Sequence, residues 1–293
     1  MNATFTIRDH TLHAPSLPAG LYPVATPIGN LGDITLRALE TLAAADVIAC
    51  EDTRTSGVLL KRYGIDGKRV SYNEHNAAER GPDLLRQIEA GASVALISDA
   101  GTPLVSDPGL RLVRDCAAAG LTVVPLPGAS APLAALVGSG LGEGEFRFVG
   151  FLPNKQQARR SRLDELKADA ATLVLFESPN RIVDMLTDAA EVFGSERPAV
   201  VARELTKMHE TFHRGNLVEL AEEFSQMERV RGEIALVIAP APPAEFNTSD
   251  TDDLLRNALV EMKTKDAAAH VAALTGEPRQ ALYARALAMK NER

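Results

Sequence analysis

The stretch ISDAGTPLVSDPG, Ile97 to Gly109, gathers residue types that hold a ligand through the main chain: Asp99, Gly101 and Pro103, then Asp107, Pro108 and Gly109, all after an apolar run. So much Gly and Pro at the carboxyl end of a strand predicts a rigid loop lying close to a small molecule, where open α/β sheets bind ligands. Asp99 has two uses open to it, accepting hydrogen bonds from a ribose or amino group, or capping the next turn. ATPIGNLGDIT, Ala25 to Thr35, sets a Gly-bearing turn between a strand and a helix start, where N–H groups and the helix dipole favour an anion. An ordinary turn capped by Asn30 or Asp33 is its other reading. The loop lacks a third glycine for GxGxxG, and GxxxxGK[ST] is absent from the chain. LPGAS, Leu126 to Ser130, ends a further strand with Ser130 at a helix start. Three such loops on one sheet edge converge on one pocket.

The elements that must position these loops alternate. Leu21–Thr26, Val47–Cys50, Arg69–Asn73, Ser93–Ser98 and Leu121–Leu126 are β-rich. Helical spacing marks Thr35–Ala45, Thr55–Tyr63, Glu79–Glu89 and Leu110–Ala119, which together predict βα units around a mainly parallel sheet. A second set follows: FRFVGF from Phe146, Thr172–Ser178, Ala199–Glu204, Glu210–Asn216 and Arg231–Pro240. Its last two strands are separated only by a short helical pattern, Leu217–Met227, so this sheet is expected to be mixed or antiparallel. Pro240, Ala241, Pro242 and Pro243 break any element. Beyond them Asp250–Lys263, Asp266–Leu274 and Pro278–Met289 read as three short helices. The expected fold is α/β: a frayed tail at 1–18, lobes at 19–131 and 132–242, and a small helical module at 247–293.

A length of 293 residues suits about two domains, and 45% hydrophobic with 24% charged residues predicts a folded soluble chain. Lys and Arg number 31 against 39 Asp and Glu, a net charge of −8 that opposes a generic nucleic-acid coat. Cys50 and Cys116 lack metal-ligand spacing and read as reduced core thiols, so no disulfide or metal is expected. Met1 to Pro18 lacks the apolar core of a secretory signal. The uncharged run Cys116–Gly142 is too broken by Gly and Pro to span a bilayer. The expected location is cytoplasmic, without membrane contact.

The motifs VATPIGNLGDIT, ACEDTRTSGVLL, SYNEHN, ALISDAGTPLVSDPG, VVPLPGASA, GFLPNK, LVLFESPNRI, ARELTKMHET and RGE, in this order, resemble the tetrapyrrole methylase family, and within it the ribosomal RNA small-subunit methyltransferase I group. The resemblance covers about Leu21 to Pro240, and the residues beyond look like that group's C-terminal helical domain. It implies a two-lobed class III methyltransferase using S-adenosylmethionine (SAM), a homodimer, that methylates the ribose 2′-oxygen of a cytidine in the decoding region of 16S rRNA in the small ribosomal subunit. Carried over by motif, Asp99, Ala100, Gly101 and Pro103 lie along the SAM methionine and ribose, with Val105, Ser130 and Ala131 offering further contacts. Phe176, Ala202 and Glu233 fall where the family closes around the adenine or methionine tail; core packing is the other use for Phe176 and Ala202.

A ribose hydroxyl is a poor nucleophile until its proton is drawn away. Candidates for that work are Glu51 and Asp52 in CEDTR, Glu74 and His75 in NEHN, Glu177 in FES, and Glu204 in ARE. Asn76 is a candidate for orienting the hydroxyl. Arg54 and Arg181, with Arg203 and Lys207, are suited to hold phosphates or neutralise these acids. Lys155, Arg159, Arg160 and Arg162 open the second lobe without an acid among them and suit a phosphate backbone, or a solvated helix face. Arg279, Arg285, Lys290 and Arg293 lie on or after the last helix, where helix-turn-helix modules meet nucleic acid. Two other functions fit the same residues: SAM-dependent methylation of a tetrapyrrole or other small molecule, and a non-catalytic SAM- or RNA-binding ribosome factor.

Overall fold

The computed structural model describes residues 3–106, 109–142, 144–242 and 248–291, so Asp107, Pro108, Pro243 and Arg293 lie outside the described residues. The chain forms two compact units, residues 1–240 and 241–293. No helix among the described residues is long and apolar enough to cross a membrane.

The first lobe begins with strands β1 (Thr4–Ile7) and β2 (His10–His13), an antiparallel hairpin. This corrects the frayed tail expected there. Phe5 is 1% exposed and joins the core with Tyr63 and Ile65, while the Thr6 N–H donates to the Tyr63 carbonyl at 2.7 Å. Two four-residue strands around a turn at Arg8 and Asp9 are too short for their alternation to stand out in a polar segment.

There follow β3 (Gly20–Pro23), α1 (Leu36–Ala44), β4 (Val47–Cys50), α2 (Thr53–Arg62), β5 (Arg69–Ser71), α3 (Ala77–Glu89), β6 (Ser93–Ile97) and α4 (Leu110–Ala118). The sheet runs β3-β6-β4-β5, all parallel. The expected fifth strand lies beside β3 but is held only by parallel bridges, Leu21 to Val123 and Val24 to Leu126. Pro125 and Pro127 remove the donors a longer ladder would need. One face of the sheet packs on Leu39, Leu42 and Leu60 from α1 and α2, the other on Leu84, Ile88 and Leu112 from α3 and α4. Strands covered on both faces explain the unbroken apolar runs seen in the sequence.

Helix α5 (Ala131–Ser139) leads into the second lobe, where Ala135 packs on Val174, Val200 and Val237. That lobe contains β7 (Phe146–Phe151), α6 (Gln156–Leu166), β8 (Thr172–Glu177), α7 (Ile182–Phe193), β9 (Pro198–Arg203), β10 (Thr211–Asn216), α8 (Leu217–Ser225) and β11 (Ile234–Ile238). The sheet order is β10-β9-β11-β8-β7, with β7 parallel to β8 and the other pairs antiparallel. Helix α5 covers one face; α6, α7 and α8 cover the other through Leu163, Leu186 and Leu220. A capping box starts α8, in which Asn216 and Glu219 each satisfy the other's backbone N–H.

The second unit has helices α9 (Thr248–Glu261), α10 (Thr264–Thr275) and α11 (Arg279–Asn291). Leu255, Val271, Leu282 and Ala286 form its core. Arg285 pairs with Glu277 at 2.7 Å and also with Asp252, so its charge serves this unit internally.

Candidate active site

The loops after β3 and β6 are tied together. Thr26 and Gly101 exchange backbone hydrogen bonds of 2.8 and 3.0 Å, and the Thr102 hydroxyl donates to the Ala129 carbonyl at 3.1 Å. Gly101 has φ +81°, and a Cβ there would press on Ile28 at 3.2 Å. Leu104 and Ser106 also hold positive φ, 74° and 65°, a strain non-glycine residues carry mainly at functional sites. Opposite this loop, β7 has a register shift between Phe148 and Gly150, a bulge that brings Phe151 beside Phe176 with ring centroids 5.5 Å apart.

Between the lobes these segments enclose a cavity of about 400 Å³, within the range of small-molecule sites. Ala100, Gly101, Val105, Ser130, Ala131, Phe176 and Glu233 line it. Three residues expected with them do not. Asp99 is exposed next to the lining residue Ala100 and accepts the Asp52 N–H at 3.2 Å, Pro103 is buried, and Ala202 is 0% exposed in the core of the second sheet. Ala202 packs in a buried cluster with Ala135 of α5 and with Ile28 and Ala235 of the cavity lining.

Of the six candidates for drawing off a proton, only Glu177 lines the cavity. Its side chain is 1% exposed; one carboxylate oxygen accepts the Ser178 N–H at 2.7 Å and the other lies 3.1 Å from Arg181. Asp52 instead caps α2. Arg54, through its side chain and its N–H, holds the Asp52 carboxyl down to about 2, which makes it a weak base. Asn76 spends its amide on Ser71 and Asn73, and His75 is exposed beside it.

A second charged cluster stands at the cavity's edge. Lys207 lies 2.8 Å from Glu204 and 3.1 Å from Glu233. Burial alone would lower the Lys207 pKa, but these two carboxylates outweigh it and raise it; the same contacts hold Glu204 below its usual range. The stem of Lys207 crosses Gly29, where a Cβ would sit 2.5 Å from its Cγ, and Glu204 occupies the space a side chain at Gly232 would need. Gly29 therefore serves close packing between loops of the two lobes.

The basic run 155–162 is corrected by its tertiary setting. Arg159 is 3% exposed and donates to Asp188 at 2.7 Å, Arg160 shares Asp188 and reaches Glu191 at 2.6 Å, and Arg162 pairs with Glu165. Lys155 remains exposed at the start of α6, and Arg181 is turned to Glu177 and Asn154. Sequence reasoning missed Ile28, Phe151, Leu205 and Pro179 as lining residues. The motifs GFLPN and FESPN carried two of them, since each sets an apolar residue and a proline at the carboxyl end of a strand. Among the described residues no group of three or more His, Cys, Asp or Glu is placed to hold a metal.

Apolar walls at Ile28, Phe151, Phe176 and Leu205, a side-chain-free cradle at Gly101 and two carboxylates fit a flat heterocycle carrying a cationic tail, which is the chemistry of SAM. A two-lobed α/β protein with one such cleft defines the class. The description Tetrapyrrole (Corrin/Porphyrin) Methylases matches residues 20–221, and RsmI C-terminal HTH domain matches 247–290. The chain is 52% identical to a ribosomal RNA small subunit methyltransferase I of Mesorhizobium japonicum, over 95% of each chain. It is 43% identical to the one of Escherichia coli O157:H7, over 91% of this chain and 94% of that one. A uroporphyrin-III C-methyl transferase from Thermus thermophilus, solved in complex with S-adenyl homocysteine, superposes with a TM-score of 0.52 at 22% identity, covering 74% of this chain and 96% of the other. The chain belongs to the tetrapyrrole methylase family, and within it to the ribosomal RNA small subunit methyltransferase I group.

Proposed function

We propose that this chain methylates small-subunit ribosomal RNA with SAM as donor, and that its target is the 2′-oxygen of a cytidine ribose in the decoding region. The observation that carries the reading is Glu177, a buried carboxylate in the wall of a SAM-sized cleft in a chain whose relatives are named for this RNA. Bound SAM supplies a methyl group on a sulfonium, open to in-line displacement. The backbone of 100–105 and 130–131 cradles the cofactor, and Phe151 and Phe176 keep water from its face. Glu177, oriented by the Ser178 N–H and Arg181, accepts the proton of the incoming hydroxyl. Lys207 holds Glu233 toward the cleft. The protein acts in the cytoplasm as a homodimer.

The test is incubation with labelled SAM and small ribosomal subunits from cells lacking this activity. Label in 16S rRNA is expected. Bound SAM with no label on RNA would overturn the reading.

A further inference from the structure

With Arg159 and Arg160 neutralised by α7 and Arg162 by Glu165, only Lys155 of the run at 155–162 is left uncovered, and the larger group of uncovered cations lies elsewhere. Between Thr53 and Ser71 stand Arg54, Lys61, Arg62, Lys68 and Arg69, all exposed, against one acid, Asp66. Arg54, Lys61 and Arg62 share the outer face of α2 with Val58, because Ser56 and Leu60 point to the core. Arg69 opens β5, the edge strand beside that helix, and its guanidinium rests on Gly57, where a Cβ would lie 2.5 Å away. Among the described residues Lys61, Arg62, Lys68 and Arg69 make no ion pair, while Arg54 pairs with Asp52.

The face is anchored at both ends. At the first turn of α2, Asp52 donates its N–H to Asp99, one residue from the cavity wall. At the last turn, the β1–β2 hairpin bonds to Tyr63. The ten residues of α2 run about 15 Å, room for two or three phosphates leading away from the cleft. On a chain of net charge −8, four exposed cations without an ion pair between positions 61 and 69, against the single acid Asp66, are a local excess of positive charge.

We infer that the α2–β5 face holds the phosphate backbone of the substrate RNA and leads its target nucleotide into the cleft. This rests on the RNA-methylating reading above and assigns its docking surface. Glu51, Asp52 and Asp99 at the rim repel phosphate, so the strand crosses the face at Lys61, Arg62, Lys68 and Arg69 and only the ribose enters.

The test compares Lys61→Glu/Arg62→Glu with Arg111→Glu/Arg114→Glu, an equal charge change on α4 across the sheet. Binding to intact small subunits is measured against salt, and RNA–protein cross-links are mapped. The first pair is expected to weaken binding at least tenfold and to lower the salt slope by about 1.4 to 1.8, two phosphate contacts' worth, with SAM affinity unchanged. Lys61→Gln/Arg62→Gln keeps the helix end and is expected to show a smaller loss of the same kind. Cross-links from 16S rRNA should fall within 53–71. Equal losses in both Glu pairs, no loss in the first, or cross-links from this face to ribosomal protein would overturn the proposal. A wild type that binds subunits through this face yet transfers no methyl would instead overturn the methylating reading.

Discussion

Glu177 brings together properties that no other acid near the cleft combines: like Glu233 it lines the cavity, but it is nearly inaccessible to solvent, and its carboxylate is held by a backbone N–H and a guanidinium. Glu177→Gln keeps the shape and removes the proton acceptor, so methyl transfer should fall about 10²- to 10⁴-fold while SAM affinity changes little. Single-turnover kinetics and calorimetry separate the two. Gly101→Val does the opposite. At φ +81°, with Ile28 already close, a branched side chain fills the cradle, and SAM binding should be abolished with the fold retained by circular dichroism. Gly29→Ala displaces Lys207 and with it Glu233 in the cavity wall, so it should weaken SAM binding from a position that does not itself line the cavity. At this scale the sequence was informative where a motif joins a strand end to Gly or Pro, as in DAGTP and FESPN. It was uninformative for Asp52, His75 and Asn76, because whether a polar side chain points at a ligand or at its own turn depends on the local backbone.

Among elements, the buried strands β4, β6, β8 and β11 were legible because strands covered on both faces must be apolar throughout. Helices α6 and α7 were less legible, because the charges of α6 are settled by residues of α7 rather than by their neighbours in sequence. The Arg159–Asp188–Arg160 cluster is the physical reason: one acid, 29 positions from Arg159 and 28 from Arg160, settles both charges. Removing Asp188 leaves a buried guanidinium without its partner, so Asp188→Asn should cost about 3–5 kcal/mol. Burial raises the Asp188 pKa, but hydrogen bonds from Arg160, Gln156 and Arg159 outweigh it and the net shift is downward. Its contribution is therefore full above the unfolded carboxylate value and fades as pH falls through the lower folded one. Melting temperatures of wild type and variant should differ most near pH 7 and draw together toward pH 3. The β1–β2 hairpin carries a comparable prediction: Phe5→Ala empties a core position and should destabilise the first unit by about 3–5 kcal/mol, read by denaturant melts.

On the scale of the whole molecule, the net charge of −8 and the proposed RNA substrate are compatible only if binding is local. The structure distributes charge in that way, with the arginines of α6 tied up in ion pairs and Lys61, Arg62 and Arg69 of α2 and β5 without one among the described residues. Affinity for arbitrary RNA should then be weak and strongly salt-dependent, with tight binding reserved for a structured ribosomal surface. Two sheets joined through α5 supply a cleft with a wall from each lobe, which is why neither lobe's residues alone make a site. The most direct test of the central claim is nucleoside analysis of unmodified small subunits after incubation with this protein and SAM. The account predicts 2′-O-methylcytidine as the sole new nucleoside, at a decoding-region position and absent with Glu177→Gln. A methyl group on a base, or on a ribose of another nucleoside, would contradict it.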